Sequence, residues 1–191
     1  MIKGVDVSSF QSTTYSLTGL DFVFVKATQS TNYVNPHMPA QVQRARNAGV
    51  VVGMYHFLVR GNIKAQAAYF VAKAGARPGE ILACDWEANT DGTFPSNAEK
   101  DEFLAEVKRL APKHRVVLYC NRDYWLNHDR TSVCGDGLWI ADYSHPAGHP
   151  AIKHAWLFNQ YSAANNTDSD VGNFSTRAAL KQWAGYPPAT K

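Results

Sequence analysis

Short apolar runs, separated by segments of helical period, constrain what this chain can fold into more than any other feature. The runs cover residues 4–8, 22–28, 50–57, 81–85, 116–121, 138–143 and 155–161. Most are close to continuous in Val, Ile, Leu, Phe and Ala, which is how strands read when both faces are buried. Between them, residues 41–48 end in Gly49, and residues 63–74 end in Gly75 with Ile63, Ala67, Phe70, Val71 and Ala74 on one stripe. A glycine just past the last periodic residue stops a helix, because it enters the left-handed region without a Cβ clash. Ser96-Asn97-Ala98-Glu99, after Pro95, has the form of a capping box, and Phe103, Leu104, Val107 and Leu110 follow at helical spacing. Strands buried on both faces and joined by helices mean parallel pairing with crossovers.

The second half is less regular. Residues 121–136 and 144–153 are polar connections carrying Gly, Pro and His, with little room for full helices. The expected fold is therefore a single-domain, irregular, flattened β/α barrel of mostly parallel strands over residues 1–183. A last helix near residues 175–183, capped by Ser175, precedes a frayed tail over 184–191 that contains Pro187-Pro188. At 191 residues and 45% hydrophobic content one core suffices, and no repeat, low-complexity stretch or linker marks a second module.

Several function classes are disfavoured at this level. A net charge of +3 with both signs interspersed is no nucleic-acid footprint. No run approaches the roughly 18 apolar residues of a membrane span, and the N-terminus lacks a signal peptide's apolar stretch. Cys84 and Cys120 sit in strand-like runs and read as core thiols. Cys134 lies in a loop, open to exposure or pairing, and the three lack C-x-x-C spacing. His145, His149 and His154 share one segment but match no helix-face ligand spacing, so neither a metal nor another cofactor is expected.

The chemistry centres on Asp85-Trp86-Glu87. Alternate residues of a strand share a face, so both carboxylates point the same way from Cα atoms about 6.6 Å apart. Two acids over one cleft suit glycosidic bond hydrolysis, where one protonates the leaving oxygen and another supports the cationic sugar. D-x-E is common by chance, so convergence counts for more. Asp6 ends the first strand, and a β/α barrel gathers the C-terminal ends of its strands at one mouth. Tyr55, Tyr119, Tyr143 and Tyr161 fall at other strand ends, where flat rings with polar tips suit the faces and hydroxyls of a sugar.

Six ordered blocks add a family resemblance. Lys3-Gly4-Val5-Asp6-Val7-Ser8, Phe24-Val25-Lys26-Ala27-Thr28, Gly53-Met54-Tyr55-His56-Phe57, Asp85-Trp86-Glu87, Leu138-Trp139-Ile140-Ala141-Asp142-Tyr143 and Phe158-Asn159-Gln160-Tyr161 resemble those of the family 25 glycoside hydrolases, the Chalaropsis-type lysozymes. The resemblance implies a flattened β/α barrel that cleaves the β-1,4 bond between N-acetylmuramic acid and N-acetylglucosamine in peptidoglycan. It implies Glu87 as the acid, with Asp6, Asp85 and a late aspartate around it. In the family that aspartate is followed two residues on by Asn or Asp, shortly before a Phe. Here Asp170-Val171-Gly172-Asn173-Phe174 places Gly172 in the middle. Asp170 keeps the distance to Phe174 and is taken as the fourth acid, with Asp168 competing.

The implied partner is the glycan strand of peptidoglycan, met by a monomer without nucleic acid, membrane insertion or a separate wall-binding module. Lacking a signal, the chain resembles a bacteriophage endolysin, made in the host cytoplasm and released to the wall; secretion is the alternative. Spacing leaves retention, inversion and N-acetyl assistance open. Two other functions compete: a carbohydrate-binding protein that lost turnover, and a hydrolase of chitin.

Overall fold

The computed structural model describes residues 1–187, and the end of the expected tail, residues 188–191, lies outside the described residues. The elements in order are β1 (Ile2–Val7), β2 (Phe22–Gln29), β3 (Tyr33–Val34), α1 (Met38–Ala48), β4 (Val51–Phe57), α2 (Ile63–Ala74), β5 (Ile81–Asp85), α3 (Asn97–Leu110), β6 (Val116–Asn121), β7 (Gly137–Ala141), β8 (Phe158–Ser162), β9 (Asp168–Gly172) and α4 (Arg177–Ala184). Eight strands close a barrel in the order β1-β2-β4-β5-β6-β7-β8-β9, with β9 returning to β1. Pairings around it are parallel except those of β9, which is antiparallel to both β8 and β1. The short β3 folds back on the end of β2. The fold is thus the irregular α/β barrel that the apolar runs imply.

Strand alternation sorts the apolar residues into two cores. Ile2, Phe22, Phe24, Val51, Ile81, Ala83, Val117, Trp139 and Phe158 fill the barrel itself. Their neighbours, among them Val23, Val25, Val52, Leu82, Leu118 and Ile140, pack outward against Val42 of α1, Phe70 of α2 and Phe103 and Val107 of α3. Burial on both faces is why the strands read as continuous apolar runs. Two inward glycines make the interior fit: a Cβ on Gly4 would run into the Phe22 ring, and one on Gly53 into the Phe24 ring. Phe24 uses that space to stack on Trp139, ring centroids 4.3 Å apart.

The barrel is sealed at one end and open at the other. Leu180 and Ala184 of α4 join the interior cluster, with Phe174, Trp183 and Tyr186 packed around them. Gly49 and Gly75 stop α1 and α2 in the left-handed region, at φ 67° and 54°, and Ser96 and Glu99 form the capping box of α3. The last helix is capped by Thr176, one residue later than Ser175; its side chain accepts from the Ala179 amide. The chain just past residue 183 is held as far as Tyr186, whose hydroxyl accepts the Val52 amide at 3.1 Å. Between β6 and β7 there is only a π-helical turn, Tyr124–His128, and no helix links β7 to β8. There Asp142 pins the loop by accepting the Ser144 and Ala151 amides and the ring of His145.

Candidate active site

At the open end the inward positions turn from apolar to polar, and a cleft of about 300 Å³ lies between them. Glu87 reaches it because the ladder continues past the end of β5: the Trp86 amide donates to the Tyr119 carbonyl at 2.9 Å. Trp86 therefore turns outward into the helix-side core, its indole donating to the Pro95 carbonyl, while Asp85 and Glu87 both line the cleft. The two carboxyls face the same cleft and act on each other's ionisation, while Asp85 Oδ1 is buried without a hydrogen-bond partner. Burial favours the neutral, protonated form of such a group. Burial first, and then the Glu87 charge, push Asp85 well above the usual carboxylate range. Burial raises Glu87 as well, against the opposing pull of Asp85 and Lys26.

Asp6 belongs to a second carboxyl pair. Asp6 and Asp170 act on each other's ionisation, and burial drives both upward, Asp170 to about 7. Gln160 connects this pair to the rim: its amide nitrogen donates to Asp6 Oδ2 at 2.6 Å, and its oxygen accepts the hydroxyls of Tyr119 and Tyr143. Below, the Trp139 indole donates to Asp170 Oδ1 at 2.8 Å.

The register of β9 separates the two late aspartates. Antiparallel pairing sets Asp168 opposite Asp6 and Asp170 opposite Gly4, one layer deeper. Period two keeps both on the inward face, so Asp168 lines the cleft while Asp170 is 1% exposed beneath it. Asp168, not Asp170, thus stands beside Asp6, Asp85 and Glu87 at the mouth. Of the four tyrosines, Tyr55, Tyr119 and Tyr143 line the cleft. Tyr161 does not, because it follows the inward Gln160 and alternation turns it to the other face.

Other side chains of the site were not singled out from the sequence. Lys26, two positions past the inward Phe24, lines the cleft 4.7 Å over the Phe57 ring, a cation among the acids. Period two along β2 and β8 is the signal that would have found Lys26 and Gln160. Phe10, 83% exposed in the loop after β1, supplies an apolar face on the rim.

The remaining candidate ligands are dispersed. His56 is fully buried, its ring between the Thr28 hydroxyl at 2.8 Å and Gln66 Oε1 at 3.1 Å, and burial lowers it to about 4. Among the described residues no group of three His, Cys, Asp or Glu side chains is placed to hold a metal. Cys84, Cys120 and Cys134 are free thiols, and burial pushes Cys134 upward.

The Asp6–Asp170 pair makes stability depend on pH. A carboxyl raised to about 7 in the folded state binds its proton more tightly there than in the unfolded chain. Its contribution is complete below the ordinary range near 4 and is lost as pH rises through about 7. The urea midpoint should therefore fall between pH 5 and pH 8. Asp170→Asn should flatten that fall, since an amide accepts from Trp139 without a charge. Equal slopes in wild type and variant would refute this.

The family model for the glycosyl hydrolases of family 25 matches residues 5–170. Lysozyme M1 of Streptomyces globisporus is 30% identical, over 93% of this chain and 69% of its own length. The bacterial lysozyme from Streptomyces coelicolor has a similar structure, with a TM-score of 0.80 and 26% identity over 96% of this chain and 97% of that one. The muramidase from Acremonium alcalophilum shares the fold at a TM-score of 0.83 and 24% identity, over 98% and 100% of the two chains. With the match running from the strand that carries Asp6 to the one that carries Asp168 and Asp170, the chain belongs to family 25 of the glycosyl hydrolases.

Proposed function

We propose that Glu87 is the general acid with which this family 25 enzyme cuts peptidoglycan, and that Asp85 is its electrostatic partner. The enzyme hydrolyses the β-1,4 bond between N-acetylmuramic acid and N-acetylglucosamine. The shared placement of Asp85 and Glu87 in the cleft carries the assignment, because burial there raises both carboxyls above the ordinary range and so favours a retained proton. Glu87, itself raised by burial, is the less enclosed of the two and so the carboxyl that reaches the leaving oxygen. Asp85 then faces the cation that develops, on the sugar ring or on an attacking N-acetyl group.

Asp6 and Asp168 add negative charge across the cleft, and Lys26 balances it. Tyr55, Tyr119 and Tyr143 contact the substrate, with Gln160 fixing the hydroxyls of the last two. The pattern suits a monomer acting on glycan strands at the bacterial wall, reached by phage-driven release or by secretion. No described helix is long and apolar enough to cross a membrane. Mass spectrometry of the products tests the reading. Muropeptides with a new N-acetylmuramic acid reducing end are expected from cell walls, and little product from chitin. A new N-acetylglucosamine end, or faster cleavage of chitin, would overturn it.

A further inference from the structure

A second concavity of about 450 Å³ opens beside the cleft, between the ends of β2 and β4 and the segment after β5. Gln29, Arg60, Asn89, Asp91 and Thr93 line it. It shares a wall with the cleft: Lys26 lines the cleft and its Nζ donates at 2.9 Å to Gln29, which lines the concavity. On another side, two residues take the chain from Glu87 in the cleft to Asn89 in the concavity. A substrate that overruns the cleft on this side meets these groups next.

Their chemistry is specific. The turn is built before any ligand arrives, with the Asn89 amide donating to the Thr93 carbonyl at 2.8 Å and the Gly92 amide to the Asn89 carbonyl at 2.9 Å. Asn89 donates through Nδ2 to Thr93, but its Oδ1 is shielded from solvent and has no donor. An acceptor left unsatisfied in this way is costly unless a ligand or water supplies an N–H or O–H. Asp91 accepts both the amide and the hydroxyl of Thr93, bonds that hold its carboxyl below the usual range and keep it ionised. Arg60 is exposed, and its guanidinium has no hydrogen-bonded acceptor among the described residues. Glu99, the acid whose charge it feels, is already engaged by the Ser96 and Gly61 amides.

A free cation, an anion and an unsatisfied acceptor around one hollow fit a ligand with a carboxylate, an ammonium and an amide N–H. Of the parts of peptidoglycan, the glycan itself has no ammonium, whereas the short peptide branching from muramic acid carries all three groups. We propose that this concavity is a subsite for the zwitterionic peptide branch, with Arg60 taking a carboxylate and Asp91 and Asn89 taking amino and amide N–H groups. The proposal rests on the reading of the cleft as a peptidoglycan site and assigns the part of the substrate that the cleft leaves over. A merely solvated turn would give no discrimination between strands with and without the peptide.

The test compares wild type and Arg60→Glu on glycan strands that carry their peptides and on the same strands stripped by an amidase. Arg60→Glu should raise KM about ten-fold on peptide-bearing strands with kcat unchanged, and leave the stripped strands unaffected. Asp91→Asn should act in the same direction and more weakly. A wild type that cuts only the peptide-bearing strand, with Arg60→Glu impaired on it, is the same result in a stronger form. Equal effects on both substrates, or none on either, would overturn the subsite alone. Failure of wild type to cut either strand would instead overturn the reading of the cleft.

Discussion

Glu87→Gln should lower turnover on cell walls by about 1,000-fold, within the span that a positioned general acid supplies. Gln keeps the shape of the side chain, but it has no proton to give the leaving oxygen. Binding of glycan strands should persist, and thermal stability should hold or rise, because one member of a buried acid pair has been neutralised. The pH profile should change too. Wild-type activity falls as pH rises through the elevated ionisation of the pair, since the proton that Glu87 donates is then lost; the residual activity of the variant should lack that limb. Release of new reducing ends, followed across pH beside a saccharide-binding measurement, reads all of this. Wild-type rates in the variant would remove Glu87 from the acid role, while loss of binding along with turnover would point to a folding defect.

Lys100→Met should be among the most destabilising single substitutions in the chain, costing about 3–5 kcal/mol. Lys100 is fully buried on α3, and its ammonium donates to Asp129 at 2.8 Å, to the Thr131 hydroxyl at 3.0 Å and to the Val133 carbonyl at 2.8 Å. It also lies 5.2 Å from the centre of the Trp86 ring. Methionine matches the length of the stem but leaves the Asp129 carboxylate, itself 8% exposed, without its cation. That uncompensated charge, more than the lost contacts, sets the size of the effect. At roughly 2–4 °C per kcal/mol for a domain of this size, the melting temperature should drop by about 10 °C. Asp129→Asn in the same background should recover part of the loss. A melting temperature unchanged in Lys100→Met would show that the ion pair contributes little. Because Trp86 stands between Asp85 and Glu87, any loosening should also lower kcat.

The parts of this architecture that depend on period were legible in the residues, and those that depend on pairing were not. Residues 22–28 and 50–57 announce strands because both faces meet apolar neighbours, and Ser96 with Glu99 announces a helix because a capping box is local chemistry. β9 was invisible for the opposite reason. Its inward positions are Asp168 and Asp170, so the strand that closes the barrel lacks the apolar signature of the others. With its direction unknown, the layer of each aspartate was unknown, and the choice between Asp168 and Asp170 rested on distance to Phe174 alone. Tyr161 falls outside the cleft by one step of alternation after Gln160. Burial of His56 and Lys100 was not legible, because burial of a polar group rests on partners that the local pattern does not reveal, Gln66 for one and Asp129 for the other. The acids of β1 and β5 were found because each ends an apolar run.

Pairing of β1 with β9 also orders events during synthesis. Ile2 lies against Gly172 and Asp6 against Asp168, so the barrel's first strand waits for its last before the ring can close. Until then β1 and β8 present open edges, and joining them is the slow kind of long-range closure. A nascent chain stopped short of residue 168 has Glu87, Asp85 and Asp6 but lacks Asp168, and Asp6 faces an unfinished seam. Competence to cut is therefore expected to arrive late and all at once, when translation delivers the strand that makes the sheet continuous.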